Sequence, residues 1–214
     1  MYQFQGRWHT QALLQGILTC QKHFEAKDSE IILVTNPKSV SSSTGDHPLL
    51  VTNPHSRVPF LEGVYYESPD FDFSQLSSPR LMNTHISHLS LPESVKSSSL
   101  LVCEPRESEQ GLVVTYEELK KQTEVEVKRI AEFIGCGFTA EEEVREIVKL
   151  CSFESLSRLE VNRQGKLPNG IETNAFFRKG EIGGWRDTLS ESLADAIDRI
   201  TEEKFGGSGL KFSC

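Results

Sequence analysis

A lysine and a hydroxyl group follow a short apolar run in the first part of the chain. The run 31–34 reads Ile-Ile-Leu-Val, and Lys38 and Ser39 come shortly after it. Ligand sites of α/β sheets lie at the carboxyl ends of the strands, where an ammonium group can hold a phosphate. A solvated turn is the alternative for these residues, because Asn-Pro before Lys38 is ordinary turn chemistry. The segment is a candidate anion site.

A second candidate anion site lies in segment 176–185. Arg178 and Lys179 are adjacent cations, and Gly180 and two more glycines follow them. Backbone amides of a glycine-rich turn can converge with cationic side chains on one anion. An exposed basic turn packed on Trp185 would have the same sequence, so both interpretations stay open.

Two more side chains could act on a substrate. His85 ends the strand-like segment 81–85, and an imidazole there could accept a hydroxyl proton near neutral pH. A structural or surface histidine is the alternative, and His88 competes for any such role. Tyr116 lies between a candidate strand and a candidate helix, where its ring could pack on a nucleobase or belong to the helix edge.

The elements that must position these residues alternate between strand and helix patterns. Short β-branched runs bounded by turn residues predict strands buried in a parallel sheet. Apolar residues at helical spacing predict amphipathic helices, and the combination predicts an α/β fold. Thr139 with Glu142, and Thr188 with Glu191, have the spacing of capping boxes that open helices. The predicted strands are 31–34, 81–85, 100–103 and 111–115, the predicted helices include 8–24 and 117–134, and the segments 40–48 and 54–78 are predicted to be irregular.

Composition excludes several function classes. The chain has 214 residues, with 31 acidic against 23 basic side chains and a net charge of −8, which argues against binding to duplex nucleic acid. Five scattered cysteines without CxxC spacing predict neither a disulfide framework nor a metal site. No apolar run is long enough to span a membrane, and no secretory leader is recognisable. The sequence predicts one domain over residues 1–214, located in the cytoplasm.

Taken in order, several segments resemble the plant cytosolic sulfotransferases. These enzymes transfer a sulfonate group from 3'-phosphoadenosine 5'-phosphosulfate, abbreviated PAPS, to an acceptor hydroxyl. No single segment decides the resemblance, but the ordered set is specific. The segments read YQFQGRWH, ILVTNPKS, HPLLVTNP, VPFLEGVYYESPDFDF, SPRLMNTHISHLSLPESVK, VTYEELKK, KLCSFESL, LPNGIET and FFRKGEIGGWRDTL.

The resemblance implies a P-loop-like fold and a role for each candidate residue. It implies that Lys38 and Ser39 hold the 5'-phosphosulfate and that His85 takes the acceptor proton. It further implies that Tyr116 lies near the adenine, that segment 151–153 lies beside the base, and that Arg178, Lys179 and Gly180 hold the 3'-phosphate. The co-substrate would be PAPS without a metal, and the partner a small hydroxyl acceptor of phenolic, flavonoid, steroid or similar type.

Two family segments are missing from the chain. Relatives continue from Pro-Lys-Ser into Gly-Thr-Thr-Trp and a long apolar helix, whereas Ser39 is followed here by Val40 and a serine run. Relatives also carry several helices after the strand that ends near Cys103, where this chain has only a short connection. Apolar surface should be exposed where those helices would pack, which predicts weak stability, oligomerisation or aggregation.

Three hypotheses follow from the missing segments. The chain is a shortened working sulfotransferase, or a catalytically inactive remnant that binds the nucleotide weakly or not at all. Alternatively, the segments belong to the natural protein and were lost through a gene-model error or a splicing event. The sequence leaves the acceptor and the oligomeric state open.

Overall fold

A computed structural model describes residues 1–27, 31–34, 48–76, 80–87, 90–97, 101–102, 112, 114–167 and 170–206. The chain divides into two compact units. Unit 1 comprises Met1–Leu112 with Gly165–Ile171, and unit 2 comprises Val113–Gln164 with Glu172–Cys214. The single domain predicted over residues 1–214 stays a prediction.

A parallel three-stranded sheet forms the centre of unit 1. Strand β3 (Ile31–Val34) lies between β4 (Leu81–Thr84) and β5 (Leu101–Val102) and is parallel to both. The β-branched run at 31–34 is suited to this central position, because a central parallel strand is buried on both faces. The predicted α/β fold with a parallel sheet is therefore confirmed. In the fourth candidate strand, 111–115, the described residues Leu112, Val114 and Thr115 lie in no strand.

Two helices contribute apolar residues to the core of this unit. Helices α1 (Gln11–His23) and α2 (Leu61–Glu67) pack against each other. The core also includes apolar residues from the sheet and from α3 (Glu93–Ser97). Its buried residues are Ile17, Cys20, Phe24, Ile32, Leu61, Tyr65, Phe73, Met82, Ile86, Leu91 and Val95.

Two predictions for unit 1 were wrong in their extent. The helix predicted over 8–24 begins only at Gln11, because the Thr10 hydroxyl caps it, and Trp8 belongs to a strand. That strand, β2 (Arg7–His9), forms an antiparallel hairpin with β1 (Tyr2–Phe4). The segment predicted to be irregular over 54–78 contains α2, because its apolar side chains at Leu61 and Tyr65 are buried in the core.

Unit 2 is built from short helices. The helix predicted over 117–134 is two helices, α4 (Tyr116–Lys121) and α5 (Thr123–Phe133), separated at Gln122. The elements that follow are α6 (Glu141–Leu150), α7 (Phe153–Ser157), α8 (Glu160–Arg163) and α9 (Glu191–Phe205), with 3-10 turns at Thr173–Phe176 and Gly184–Asp187. Leu193, Ile197 and Ile200 recur at helical spacing on α9 and are each about half exposed.

The two predicted capping boxes are wrong in register. Helix α6 covers the predicted segment 141–150, but its N-cap is Ala140 rather than Thr139, and Glu143 accepts the backbone N–H groups of Thr139 and Ala140. Helix α9 is capped by the Ser190 hydroxyl, which accepts the N–H of Leu193 at 3.4 Å. The Thr188 hydroxyl instead donates to a carbonyl in the preceding turn. Serine, threonine and acidic residues next to one another give several helix starts the same local signature.

Candidate active site

His85 lies immediately after the carboxyl end of β4. Its imidazole is half-buried and packs on Phe60, with the ring centroids 4.6 Å apart. Thr84, the last residue of β4, is aligned with Val34, the last residue of β3. The carboxyl ends of these two parallel strands therefore meet at the edge of the sheet where His85 is placed.

A buried carboxylate fixes the backbone at His85. Glu62, in the first turn of α2, is 1% exposed, and its Oε1 accepts the backbone N–H of His85 at 2.8 Å. Its Oε2 accepts the hydroxyl of Thr84 at 2.8 Å. Burial raises the pKa of the Glu62 carboxyl, while its own N–H, Thr84 and His85 oppose that rise through hydrogen bonds.

Sequence reasoning missed Glu62. The available signal was one acidic residue inside the apolar run Val-Pro-Phe-Leu-Glu-Gly-Val-Tyr-Tyr, because an acidic side chain on a buried face needs donors nearby. Those donors come from residues 84 and 85, which are distant in the sequence. The pairing could therefore not be predicted without the fold.

Lys38 and Ser39, the predicted phosphosulfate ligands, lie outside the described residues. The last described residue before them is Val34, opposite Thr84 in the sheet. Their predicted role is therefore neither supported nor contradicted by a described contact.

Gly180 in unit 2 makes a close contact that requires a glycine. Its φ is +64°, and a Cβ at this position would lie 2.6 Å from Cδ2 of Phe153. The Phe153 ring, at the start of α7, thus packs directly on the backbone of the basic turn. Phe177, two residues before Lys179, packs on the same ring with centroids 6.1 Å apart. Aromatic packing holds the turn at residues 177–180.

The two predicted cations of this turn differ in their partners. Arg178 and Lys179 are both exposed. The Lys179 ammonium donates to the Asp187 carboxylate, which raises the pKa of Lys179 and lowers that of Asp187. Among the carboxylates in the described ranges, none pairs with Arg178. A cation without an acidic neighbour is suited to an external anion.

Tyr116 opens α4 in the same unit as the basic turn. Thr115 caps that helix in a full capping box with Glu118. The Tyr116 ring is 47% exposed, and partial burial, followed by the charges of Glu117 and Glu181, raises the pKa of its hydroxyl. Glu181 directly follows Gly180, so its effect places Tyr116 in the neighbourhood of the turn. Unit 2 thus contains Tyr116, Arg178, Lys179 and Gly180, whereas His85 belongs to unit 1.

The parts of the chain that the structure describes contain no cluster of three histidine, cysteine or acidic side chains able to hold a metal ion. No helix in them has the length and apolar character needed to cross a bilayer.

Comparison with solved structures finds sulfotransferases. A crystal structure of an Arabidopsis thaliana protein, provisionally assigned as a steroid sulphotransferase, matches with a TM-score of 0.75 and 52% identity. The match covers 99% of this chain and 88% of that one. A mouse sulfotransferase complexed with PAP matches with a TM-score of 0.65 and 18% identity, over 95% of this chain and 94% of that one, which shows a shared fold.

Sequence comparison gives the same family. Cytosolic sulfotransferase 12 of Arabidopsis thaliana is 60% identical over an alignment covering 100% of this chain and 88% of the relative. Cytosolic sulfotransferase 13 of the same plant is 39% identical, again over 100% of this chain and 88% of the relative. The first alignment spans 288 positions, 74 more than the 214 residues of the chain. Segments of the relative therefore have no counterpart here, as the sequence predicted.

The match to the family model divides where one missing segment was predicted. The model, described as the sulfotransferase domain, matches residues 29–103 and 98–209 as two separate stretches. The two stretches meet near Cys103, the second of the two predicted breaks. Because the matches together cover most of the sequence, the chain belongs to the plant cytosolic sulfotransferase family.

Proposed function

We propose that this sulfotransferase uses His85 as the general base that activates a hydroxyl group of a small acceptor. The acceptor oxygen forms a bond to the sulfur of PAPS while the bond from sulfur to the bridging phosphate oxygen breaks. The acceptor proton passes to the imidazole, and adenosine 3',5'-bisphosphate, PAP, leaves. The observation that supports this role is the position of the half-buried imidazole immediately after the carboxyl end of β4.

The chemistry at this position is suited to a histidine. An imidazole with an ordinary pKa of about 6.5 can accept a proton near neutral pH and release it again. The Phe60 ring covers one side of the imidazole. The Glu62 carboxyl group accepts the backbone N–H of His85.

We propose PAPS as the donor nucleotide. Lys38 and Ser39 would hold the 5'-phosphosulfate, since they follow β3, whose end is aligned with the end of β4. Such a cation stabilises the charge that develops on the leaving phosphate. The mouse structure with a related fold contains PAP, which supports a nucleotide of this type.

Arg178, Lys179 and Gly180 would hold the 3'-phosphate. Arg178 is exposed and has no ion-pair partner among the described residues, and the packing of Phe153 on Gly180 holds the turn that carries it. Tyr116, exposed near this turn, would lie against the adenine. PAPS would then be the co-substrate, with no metal in the reaction.

The acceptor is proposed only as a class. The provisional assignment of the Arabidopsis structure favours steroids, and phenols and flavonoids complete the set to be tested. The relatives are named as cytosolic enzymes, which agrees with the predicted cytoplasmic location. Nothing in the acidic composition favours a nucleic-acid partner.

A catalytically inactive remnant is the second candidate function. It is favoured by the 74 alignment positions of the relative that have no counterpart in this chain. Such a protein would bind PAP weakly or not at all. A splicing or gene-model origin of the gaps is tested by sequencing the transcript across Ser39/Val40 and Cys103/Glu104.

Two measurements distinguish the working enzyme from the remnant. The first is a thermal-shift titration with PAP, in which binding to the folded state alone stabilises it by about 2.7 kcal/mol at 100 times Kd. Arg178→Ala should abolish the shift, whereas Arg145→Ala, which changes an exposed arginine elsewhere in unit 2, should leave it unchanged.

The second measurement is sulfonate transfer to steroids, flavonoids and phenols, which His85→Ala should abolish without loss of PAP binding. A cooperatively folded protein with neither a shift nor transfer would establish the remnant.

A further inference from the structure

Glu62 is an ionisable residue in a position where a charge is costly. It is 1% exposed and belongs to the same helix face as the core residues Leu61 and Tyr65. A carboxyl group buried in this way requires hydrogen-bond donors to offset its lost hydration. Its donors come from residues 84 and 85, at the point where β4 ends.

The carboxylate continues a hydrogen-bond pattern along the outer edge of β4. The N–H of Asn83 donates to the carbonyl of Pro59 at 2.8 Å, and the N–H of His85 donates to Glu62 Oε1 at 2.8 Å. Residues two apart in a strand direct their N–H groups to the same edge. The Glu62 side chain thus takes the acceptor position that a further backbone carbonyl would otherwise occupy.

Thr84 extends this connection to the next residue. Its hydroxyl donates to Glu62 Oε2 at 2.8 Å and accepts the N–H of Ile86 at 3.0 Å. One carboxylate is therefore linked directly to residues 84 and 85 and, through the hydroxyl, to residue 86. Phe60, two residues before Glu62, packs on the imidazole itself.

We infer that Glu62 is a positioning residue for His85, holding the backbone after β4 so that the imidazole stands at the carboxyl edge of the sheet against Phe60. Glu62 is bonded to the backbone of His85 and to Thr84, so it acts on the ring only through His85. This inference deepens the proposed function and rests on it, since positioning matters for the reaction only if His85 is the base.

The test compares variants that remove different parts of the connection. Glu62→Leu removes both acceptor oxygens, and Glu62→Gln keeps one oxygen for the N–H of His85. Glu67→Leu, on the exposed end of the same helix, is the matched control. Thr84→Val removes the hydroxyl with little change of shape, and Thr84→Ser restores it.

The first readout is the imidazole of His85 in protein labelled at histidine, observed by NMR. The chain has six histidines, and His85→Gln assigns the signal by its loss. We expect Glu62→Leu and Thr84→Val to shift or split the His85 signal, while Glu67→Leu leaves it unchanged. Glu62→Gln and Thr84→Ser should return it most of the way to the original position.

The second readout is turnover. Misplacement of a reacting group by about 1 Å can cost a hundredfold in rate, so we expect kcat to fall about tenfold to a hundredfold in Glu62→Leu. The Kd for PAP should stay within about twofold, because the carboxylate does not belong to the donor site proposed above. Thermal unfolding and circular dichroism establish which variants are folded, and the pair Thr84→Val and Thr84→Ser serves as the test if Glu62→Leu fails to fold.

The outcomes distinguish a failure of the positioning role of Glu62 from a failure of the proposed function. An unchanged His85 signal in folded Glu62→Leu and Thr84→Val protein would overturn the positioning role. Equal losses in PAP binding and in turnover would also overturn it, since they indicate a general structural effect. If the unmodified protein transfers no sulfonate, the proposed function fails, yet the NMR comparison still decides whether Glu62 positions the ring.

Discussion

The backbone of Gly16 in α1 lies directly against the carbonyl oxygen of Glu62 in α2. A Cβ at position 16 would be 2.0 Å from that oxygen, well inside contact distance. The two helices can therefore approach this closely only with a glycine at the crossing point. The residue that binds the backbone of His85 thus rests on α1 through its own backbone.

We predict that Gly16→Ala destabilises the protein by about 1–3 kcal/mol, the usual cost of overpacking a tight contact. Backbone atoms cannot move aside as a flexible side chain can, so the helices must separate. Urea unfolding followed by circular dichroism measures the change. Gly137→Ala is the control, because no atom lies within 4 Å of a Cβ at that position. Equal stability of the two variants would contradict the close packing.

The raised pKa of Glu62 predicts a pH dependence of stability. Burial is the main cause of the shift, and hydrogen bonds from the backbone of Glu62, from Thr84 and from His85 oppose it. The Glu62 charge in turn raises the pKa of the buried Cys20 thiol. Between the ordinary pKa of a glutamate, about 4.3, and the raised folded-state value, the folded protein holds a proton that the unfolded chain has lost. The free energy of unfolding should then fall as pH rises through this window.

Glu62→Gln tests this dependence, because an amide does not titrate. The difference in unfolding free energy between the original protein and Glu62→Gln should be constant below about pH 3, where the carboxyl is protonated in both states. It should change in favour of the variant as pH rises above that value. A difference that stays constant up to pH 8 would show that burial does not perturb this carboxyl.

Gly180→Ala should weaken PAP binding through the Phe153 contact. The left-handed backbone is strained by any side chain, and a methyl group at this position meets the Phe153 ring at 2.6 Å. We expect a loss of at least tenfold in PAP affinity, about 1.4 kcal/mol, measured by calorimetry. A double-mutant cycle of Gly180→Ala and Phe153→Leu should show that their effects on the free energy of PAP binding are not additive. Additive losses would mean that backbone strain alone is responsible.

Asp187 should limit how well Lys179 attracts an anion. Because the carboxylate engages the Lys179 ammonium, Asp187→Asn should strengthen PAP binding severalfold at low ionic strength, and added salt should reduce the gain by screening. Glu191→Gln, a neighbouring exposed acid on α9, controls for net charge. Weaker binding in Asp187→Asn would show instead that Asp187 orients Lys179 for the phosphate.

The sequence was sufficient where local pattern determines structure. The run at 31–34 could be identified as a central strand because both of its faces are apolar, and His85 could be placed at a strand end because the strand pattern stops there. The N-caps of the helices that follow Thr139 and Thr188 could not be identified to the residue, because neighbouring side chains offer competing caps. Local signals of this kind are nearly equal in energy, so tertiary packing selects among them.

Other features depended on contacts between distant residues. The role of Glu62 required knowing that α2 lies beside the end of β4, a separation of more than twenty residues in the chain. The contact between Phe153 and Gly180 joins two segments that are distant in the sequence. No local pattern in either segment predicts that they meet. The resemblance placed both near the site, but only the fold shows that the ring packs on the glycine.

The hydrogen bonds along the outer edge of β4 also affect how the protein meets other copies of itself. An exposed strand edge offers unpaired N–H groups with which a second chain can extend the sheet. At β4 the N–H groups of Asn83 and His85 are already taken by Pro59 and Glu62. Intermolecular strand addition at this end of β4 would first have to displace both bonds, so the segment that holds His85 also protects the sheet from growing there.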